Sequence, residues 1–168
     1  SIFRAALQAD HIPYQDTSLH YQYGGKGDRL LFCFHGFGES AEHFHFLESH
    51  LSAHFTLVAI DLPFHGNSRW NSTTPLDPLS LISLLEQIKQ KHQFNQKRYE
   101  LLGYSMGGRI SLSLAEIASE KILKVFLLAP DGFKMNFWYW LATQTYLGNK
   151  IFSATIHYPA PFLRIVRG

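Results

Sequence analysis

Gly103-Tyr104-Ser105-Met106-Gly107 is the stretch of this chain whose residue types and spacing can do chemistry. A serine hydroxyl becomes a nucleophile when it projects from a sharp turn beside groups that activate it and stabilise negative charge. The glycines two residues to either side of Ser105 leave room for neighbouring backbone to pass and let the serine take a strained conformation. Upstream, Tyr99 to Tyr104 reads as a buried strand. Downstream, Met106 to about Ser119 reads as a helix with Ile110, Leu114 and Ile117 on one face. A strand-to-helix turn places unpaired N–H groups and the positive end of the helix dipole beneath the hydroxyl. That context separates G-x-S-x-G here from a chance glycine-rich turn.

Two further loops carry polar groups of the right kind. His35-Gly36-Phe37-Gly38 follows an apolar run, Leu30 to Phe34. Acyl transfer needs donors aimed at the developing oxyanion. The backbone N–H of Met106 is one candidate and that of Phe37 the other. His35 is read as tying this loop in place rather than as a base. Asp61-Leu62-Pro63-Phe64-His65-Gly66-Asn67-Ser68 follows a second apolar run. Its Pro and Gly fix a turn in which Asp61 hydrogen-bonds backbone N–H groups. His65 is read as a structural residue, with substrate contact as its alternative role.

The elements that must position these loops follow from periodicity. Ile12, Tyr14, Leu19, Tyr21 and Tyr23 alternate ahead of the turn Gly24 to Asp28, which predicts one or two antiparallel strands at a sheet edge. Leu30–Phe34, Thr56–Ile60, Tyr99–Tyr104 and Val125–Ala129 are short apolar runs that suit strands buried on both faces. Between them, Phe44, Leu47, Leu51 and Phe55 have helical spacing with Ser40 as a candidate N-cap. A second helix has Asp77 as cap, Pro78 at its first position and a stripe of Leu81, Leu84, Leu85 and Ile88. Strand and helix alternate from residue 30 to 130. That order predicts an α/β fold with a mostly parallel sheet covered by helices on both faces, its chemistry gathered at the carboxyl ends of the strands.

Composition narrows the class. Of 168 residues, 46% are hydrophobic and 17% charged, enough apolar material for a core and too little charge for a disordered chain. The formal charge is +2 and no Lys/Arg block exceeds two residues, so nucleic acid is not an expected partner. Cys33 is the single cysteine, so no internal disulfide forms; it reads as a small buried hydrophobe. No signal-peptide pattern or membrane-spanning apolar stretch is visible, and a cytoplasmic location is expected. No zinc-type spacing of His and acidic residues occurs, and His43-Phe44-His45 sends its imidazoles to different helix faces. Neither metal nor cofactor is expected.

The His-Gly loop, the Asp-x-Pro-x-x-Gly-x-Ser turn and the G-x-S-x-G turn, in this order, resemble the α/β-hydrolase superfamily, in its lipase, esterase and peptidase-like branch with an inserted cap. The resemblance covers about residues 10 to 132. It implies an α/β-hydrolase fold with residues 1–132 as the N-terminal part of the core and residues 133–168 as the start of a cap or lid. Two other readings of the aromatic-rich stretch from Phe133 are open: a membrane-surface segment, or core separated from its partners. The implied activity is hydrolysis of an ester, thioester or amide of a small apolar or aromatic substrate, through an acyl-enzyme on Ser105. Phe37 and Met106 would supply the oxyanion N–H groups, and Phe37, Tyr104, Phe64 and Trp138 would line the pocket. A serine at this turn argues against the dehalogenase branch, which places Asp there.

The family's triad runs Ser, then Asp or Glu, then His. After Ser105 the acids near plausible loops are Glu120 and Asp131, and the only histidine is His157. Asp131 is a candidate triad acid, a structural turn residue or a substrate contact. His157, in Ile156-His157-Tyr158-Pro159-Ala160-Pro161, is a candidate base or a residue of the lid surface. The final two strands that carry acid and base in the family are expected to be absent from these 168 residues. Such a chain would expose one side of its sheet, which favours a homodimer or association through the absent C-terminal portion. A non-catalytic binding domain, a carbon–carbon bond hydrolase and an acyltransferase on the same fold are the alternative functions.

Overall fold

The computed structural model describes residues 7–72 and 75–128. Alternation sets the first hairpin: β1 (Gln8–Tyr14) and β2 (Thr17–Gly24) pair antiparallel with Tyr14 opposite Thr17, and β2 buries Leu19 and Tyr21 completely. The continuous apolar runs become the inner strands, β3 (Arg29–Phe34), β4 (Phe55–Ile60) and β5 (Tyr99–Tyr104), followed by β6 (Ile122–Leu128). The sheet order is β1-β2-β4-β3-β5-β6. β2 joins β4 antiparallel, while β4, β3, β5 and β6 are mutually parallel.

The two faces of β3 show why both sides need cover. Leu30, Phe32 and Phe34 point into a core shared with α2 (Pro78–Lys91) and α3 (Met106–Ile117), which contribute Leu81, Leu84, Leu85, Ile88 and Leu114. Leu31 and Cys33 point the other way, onto Ala41 and Phe44 of a 3-10 turn (Ala41–Phe44), with Leu47 and Leu51 of α1 (His45–Leu51) beside them. Alternate residues of a strand face opposite sides, so a strand apolar throughout is stable only between two such layers. Burial pushes the Cys33 thiol up from its usual range. The Asp77 carboxylate accepts from the Ser80 N–H at 3.0 Å, capping α2 ahead of Pro78.

Four local expectations are corrected. Phe55 opens β4 instead of closing the first helix, because α1 ends at Leu51 and the His54 N–H turns back to the Leu51 carbonyl at 2.9 Å. Ser40 stands before the 3-10 turn without a side-chain cap bond. Ile117 is exposed, and Ala118 takes the inward position at the end of α3. β6 begins at Ile122, three residues earlier than its apolar run suggests, because Arg98 donates to the Ile122 carbonyl at 2.8 Å and Tyr99 pairs with Ile122. β6 forms one edge of the described sheet, with Leu123, Phe126, Leu127 and Leu128 each 38–49% exposed. Among the described residues, no helix is long and apolar enough to cross a membrane.

Candidate active site

β4, β3 and β5 are neighbours, so the loops leaving their carboxyl ends stand side by side. Ser105 closes β5 with φ 51° and ψ −113°, backbone space that a side chain normally avoids, and its side chain is exposed. Its N–H reaches the Leu128 carbonyl at 3.3 Å, tying the turn to the end of β6. The glycines explain how the turn fits. A Cβ on Gly107 would overlap the carbonyl oxygens of Phe34 and His35, and one on Gly103 would overlap the Gly107 carbonyl. The first turn of α3 therefore rests directly on the end of β3, and the two loops expected to do chemistry touch through backbone.

The His35 loop is fixed from inside. His35 is fully buried, and its Nε2 accepts from the Leu62 N–H at 3.0 Å. Nδ1 therefore carries the ring proton and donates to the Gly36 carbonyl at 2.7 Å. Burial, foremost, holds this imidazole below the usual histidine range, with the neighbouring His65 adding to the effect. Both ring nitrogens are engaged, which leaves neither for Ser105. Gly36 donates to a Glu39 carboxylate oxygen at 3.2 Å, and the Tyr104 ring lies where a Gly36 Cβ would sit, 2.9 Å from Cδ1. Phe37 follows with its side chain 82% exposed. Neither the Phe37 N–H nor the Met106 N–H has an acceptor among the described residues. Met106 is the first residue of α3, where no intrahelical acceptor exists.

The third loop is held by one carboxylate. Asp61, 2% exposed, accepts from the Ala41 N–H at 2.7 Å, the Asn67 N–H at 2.8 Å and His20 Nδ1 at 2.7 Å. Ser68 Oγ donates to the Asp61 carbonyl at 2.6 Å and accepts from the His20 N–H at 2.8 Å. Gly66, at φ 53°, has no space for a side chain against the Asp61 carboxylate. This turn presents Phe64, 72% exposed, and His65, whose Nδ1 donates to the Pro63 carbonyl at 2.8 Å. The His65 ring sits edge-on to Phe37 with centroids 5.6 Å apart and lies 5.1 Å from His35.

The structure thus brings together Ser105, Met106, Tyr104 and Phe37 along adjacent strand ends, with Phe64 on the next loop. Asp131, His157 and Trp138, and the expected cap from 133 to 168, lie outside the described residues. Among the described residues, no group of three His, Cys, Asp or Glu side chains is placed to hold a metal ion. Sequence reasoning missed Glu39 and the link from His20 to Asp61. Glu39, three residues after Gly36, could have been found as a local side-chain-to-backbone bond. The His20 link had no signal, because it depends on β2 lying beside β4.

Comparison with known proteins bears on the fold and family. An uncharacterised hydrolase of Bacillus subtilis (strain 168), YugF, is 37% identical over 114 residues, spanning 68% of this chain and 40% of that protein. The dihydrolipoyllysine-residue acetyltransferase component of the acetoin cleaving system of Pseudomonas putida is 32% identical over 115 residues, 67% of this chain and 30% of its own length. The chain therefore spans well under half the length of these relatives. A solved thioesterase domain from the curacin biosynthetic pathway superposes with a TM-score of 0.62 over 74% of this chain and 47% of its own, at 21% identity, a likeness of fold. The family described as alpha/beta hydrolase fold matches residues 29–161. With that match over most of its length, the chain belongs to the alpha/beta hydrolase fold family.

Proposed function

We propose that this protein is a serine hydrolase that cleaves an ester, thioester or amide of an apolar or aromatic substrate through an acyl-enzyme on Ser105. The observation that carries this reading is the exposed Ser105 at φ 51°, at the head of α3, with two backbone N–H groups on this and the neighbouring strand end that have no acceptor among the described residues. Attack of Oγ on a carbonyl carbon forms the new C–O bond and moves the carbonyl electrons onto oxygen. The N–H groups of Met106 and Phe37 are the donors for that oxyanion. The serine proton passes to a base and then to the leaving group as the old bond breaks; water reverses the sequence and frees the acid. His35 is unsuited as that base, since Leu62 and Gly36 occupy both its nitrogens. Within this chain, Asp131 and His157 are the candidates for acid and base. Phe37, Tyr104, Phe64 and Trp138 are the proposed apolar lining. The names of the relatives, a hydrolase and an acetyltransferase component, fit acyl chemistry.

The test is covalent. A fluorophosphonate should label the intact protein at Ser105, as read by peptide mass spectrometry, and Ser105→Ala should abolish both labelling and ester hydrolysis, with a kcat loss of about a thousandfold or more. His157→Gln and Asp131→Asn, assayed alongside, report on the base and acid. Absence of labelling in a folded sample, or an active Ser105→Ala protein, would overturn the reading.

A further inference from the structure

Four non-glycine residues among those described have a positive φ: Gln15, Phe64, Gln93 and Ser105. Gln15 sits in the tight turn between β1 and β2, and Gln93 follows the end of α2, where a left-handed residue commonly closes a helix. Ser105 belongs to the strand-to-helix turn. Phe64, at φ 65°, is different. A bulky aromatic in this region is a backbone outlier, and glycine would occupy the position without strain. Nor does the fold reward the ring by burying it, since Phe64 is 72% exposed.

The turn nevertheless holds the residue firmly. The Asp61 carboxylate closes the turn through the Asn67 N–H and ties it to the 3-10 turn through the Ala41 N–H, and the His65 ring meets Phe37 edge-on. Strain kept at an exposed apolar side chain, on a rigid turn at the carboxyl end of a parallel sheet, is what a selected contact with a ligand looks like. The sheet order gives the length scale. β3 lies between β4 and β5, so the loop of Phe64 is displaced from Ser105 by two strand spacings. That displacement is about 10 Å, the reach of an extended hydrocarbon arm of roughly eight carbons. Phe37, on the loop that leaves β3, belongs to the strand end between theirs.

We infer that Phe64 is a specificity-determining residue that selects substrates whose apolar arm reaches on the order of eight carbons from the scissile carbonyl, crossing Phe37 to end on the Phe64 ring. This rests on Ser105 being the nucleophile. It adds that short-chain substrates do not feel Phe64 while medium-chain ones do, and that the residue acts against stability rather than for it.

The test pairs chain length with melting temperature in the intact protein. Two ester series are assayed, p-nitrophenyl esters from acetate to dodecanoate and acetate esters of alcohols of matching length. In Phe64→Gly, the ratio of kcat/KM for esters of eight carbons and longer to that for the shortest esters should fall about tenfold in one series, mainly through KM. Phe64→Leu should recover most of the loss, and the Tm of Phe64→Gly should equal or exceed that of the parent. A loss uniform across all lengths, no loss in either series, or a Tm lower by several degrees would overturn the inference. Fluorophosphonate labelling run in parallel separates the two claims. A labelled parent with no chain-length response sinks the role of Phe64 alone, whereas an unlabelled, folded parent sinks the nucleophile and this inference with it.

Discussion

At the amino end of β3, the Arg29 guanidinium donates to both oxygens of Glu100 on β5, at 2.7–3.0 Å, and lies 4.2 Å over the Phe55 ring of β4. At the carboxyl end of the same three strands, polar groups hold turns in place and leave a serine hydroxyl and two N–H groups without a partner among the described residues. Below, charges satisfy one another. Above, Ser105, Phe64, Gly38 and Gly66 all have positive φ. One sheet therefore divides its labour by end, with cohesion at the amino termini and, among the described residues, stored strain with unused donors at the carboxyl termini. Several perturbations can break or sharpen that division.

The largest expected effect is at the cohesive end. Arg29→Met strands Glu100, which is 1% exposed, as an unpaired buried carboxylate and should cost about 3 kcal/mol in urea unfolding. Ester hydrolysis per folded molecule should be unchanged; a selective loss of activity would break the division. Gly107→Ala acts at the other end, where the new methyl meets the Phe34 and His35 carbonyls. Lifting α3 off β3 should cost about 2 kcal/mol, and displacing the Ser105 turn by about 1 Å should reduce kcat/KM on the order of a hundredfold. Full activity in a folded Gly107→Ala protein would show that the close approach is not needed. Asp61→Asn replaces one accepting oxygen by an amide that cannot accept from Ala41 or Asn67, for about 1–2 kcal/mol. Because the same carboxylate frames Phe64, that variant should also weaken the response to substrate length. Equal stability of variant and parent would contradict the role given to Asp61.

The smallest effect is that of pH. Burial lowers the proton affinity of His35 and His92 in the folded state relative to their ordinary value of 6.5. Between the depressed folded values and 6.5, the unfolded chain binds protons that the folded chain refuses. The stability these residues contribute is complete above about pH 6.5 and is lost as pH falls below it. Urea midpoints measured from pH 7.5 down to 5 should decline, and His92→Phe should flatten part of that slope. A midpoint that rises over this window would carry the wrong sign.

Much of the site was legible because its signals are local. Gly103, Ser105 and Gly107 are separated by fixed spacings, and the overlap that forbids a side chain at Gly103 is dictated by a turn these residues make among themselves, whereas the one at Gly107 is with the end of β3 and had no local signal. Asp77 and Pro78 mark the start of α2 for the same reason. What escaped depended on which strands become neighbours. Nothing near Arg29 announces Glu100, and nothing near His20 announces Asp61; both pairs exist only because β5 and β2 flank β3 and β4. Phe55 was misassigned because its spacing from Leu51 continues a helical period, and the break at Ser52-Ala53-His54 contains neither Gly nor Pro. The strain at Phe64 was illegible for another reason: a phenylalanine in a left-handed turn looks, in sequence, like any loop aromatic.

The strand order also fixes when in folding the site can come into being. β4 follows β3 closely, but β3 meets β5 only when Leu31 is brought opposite Glu100, after the whole α2 region has been drawn in. Loop closure of that length is slow compared with forming a hairpin or a helix. Phe37 and Met106 sit on opposite sides of this last seam, so no early intermediate can hold both N–H groups in one place. A reagent that needs them together, applied at intervals during refolding, would act as a clock for the docking of β5 on β3.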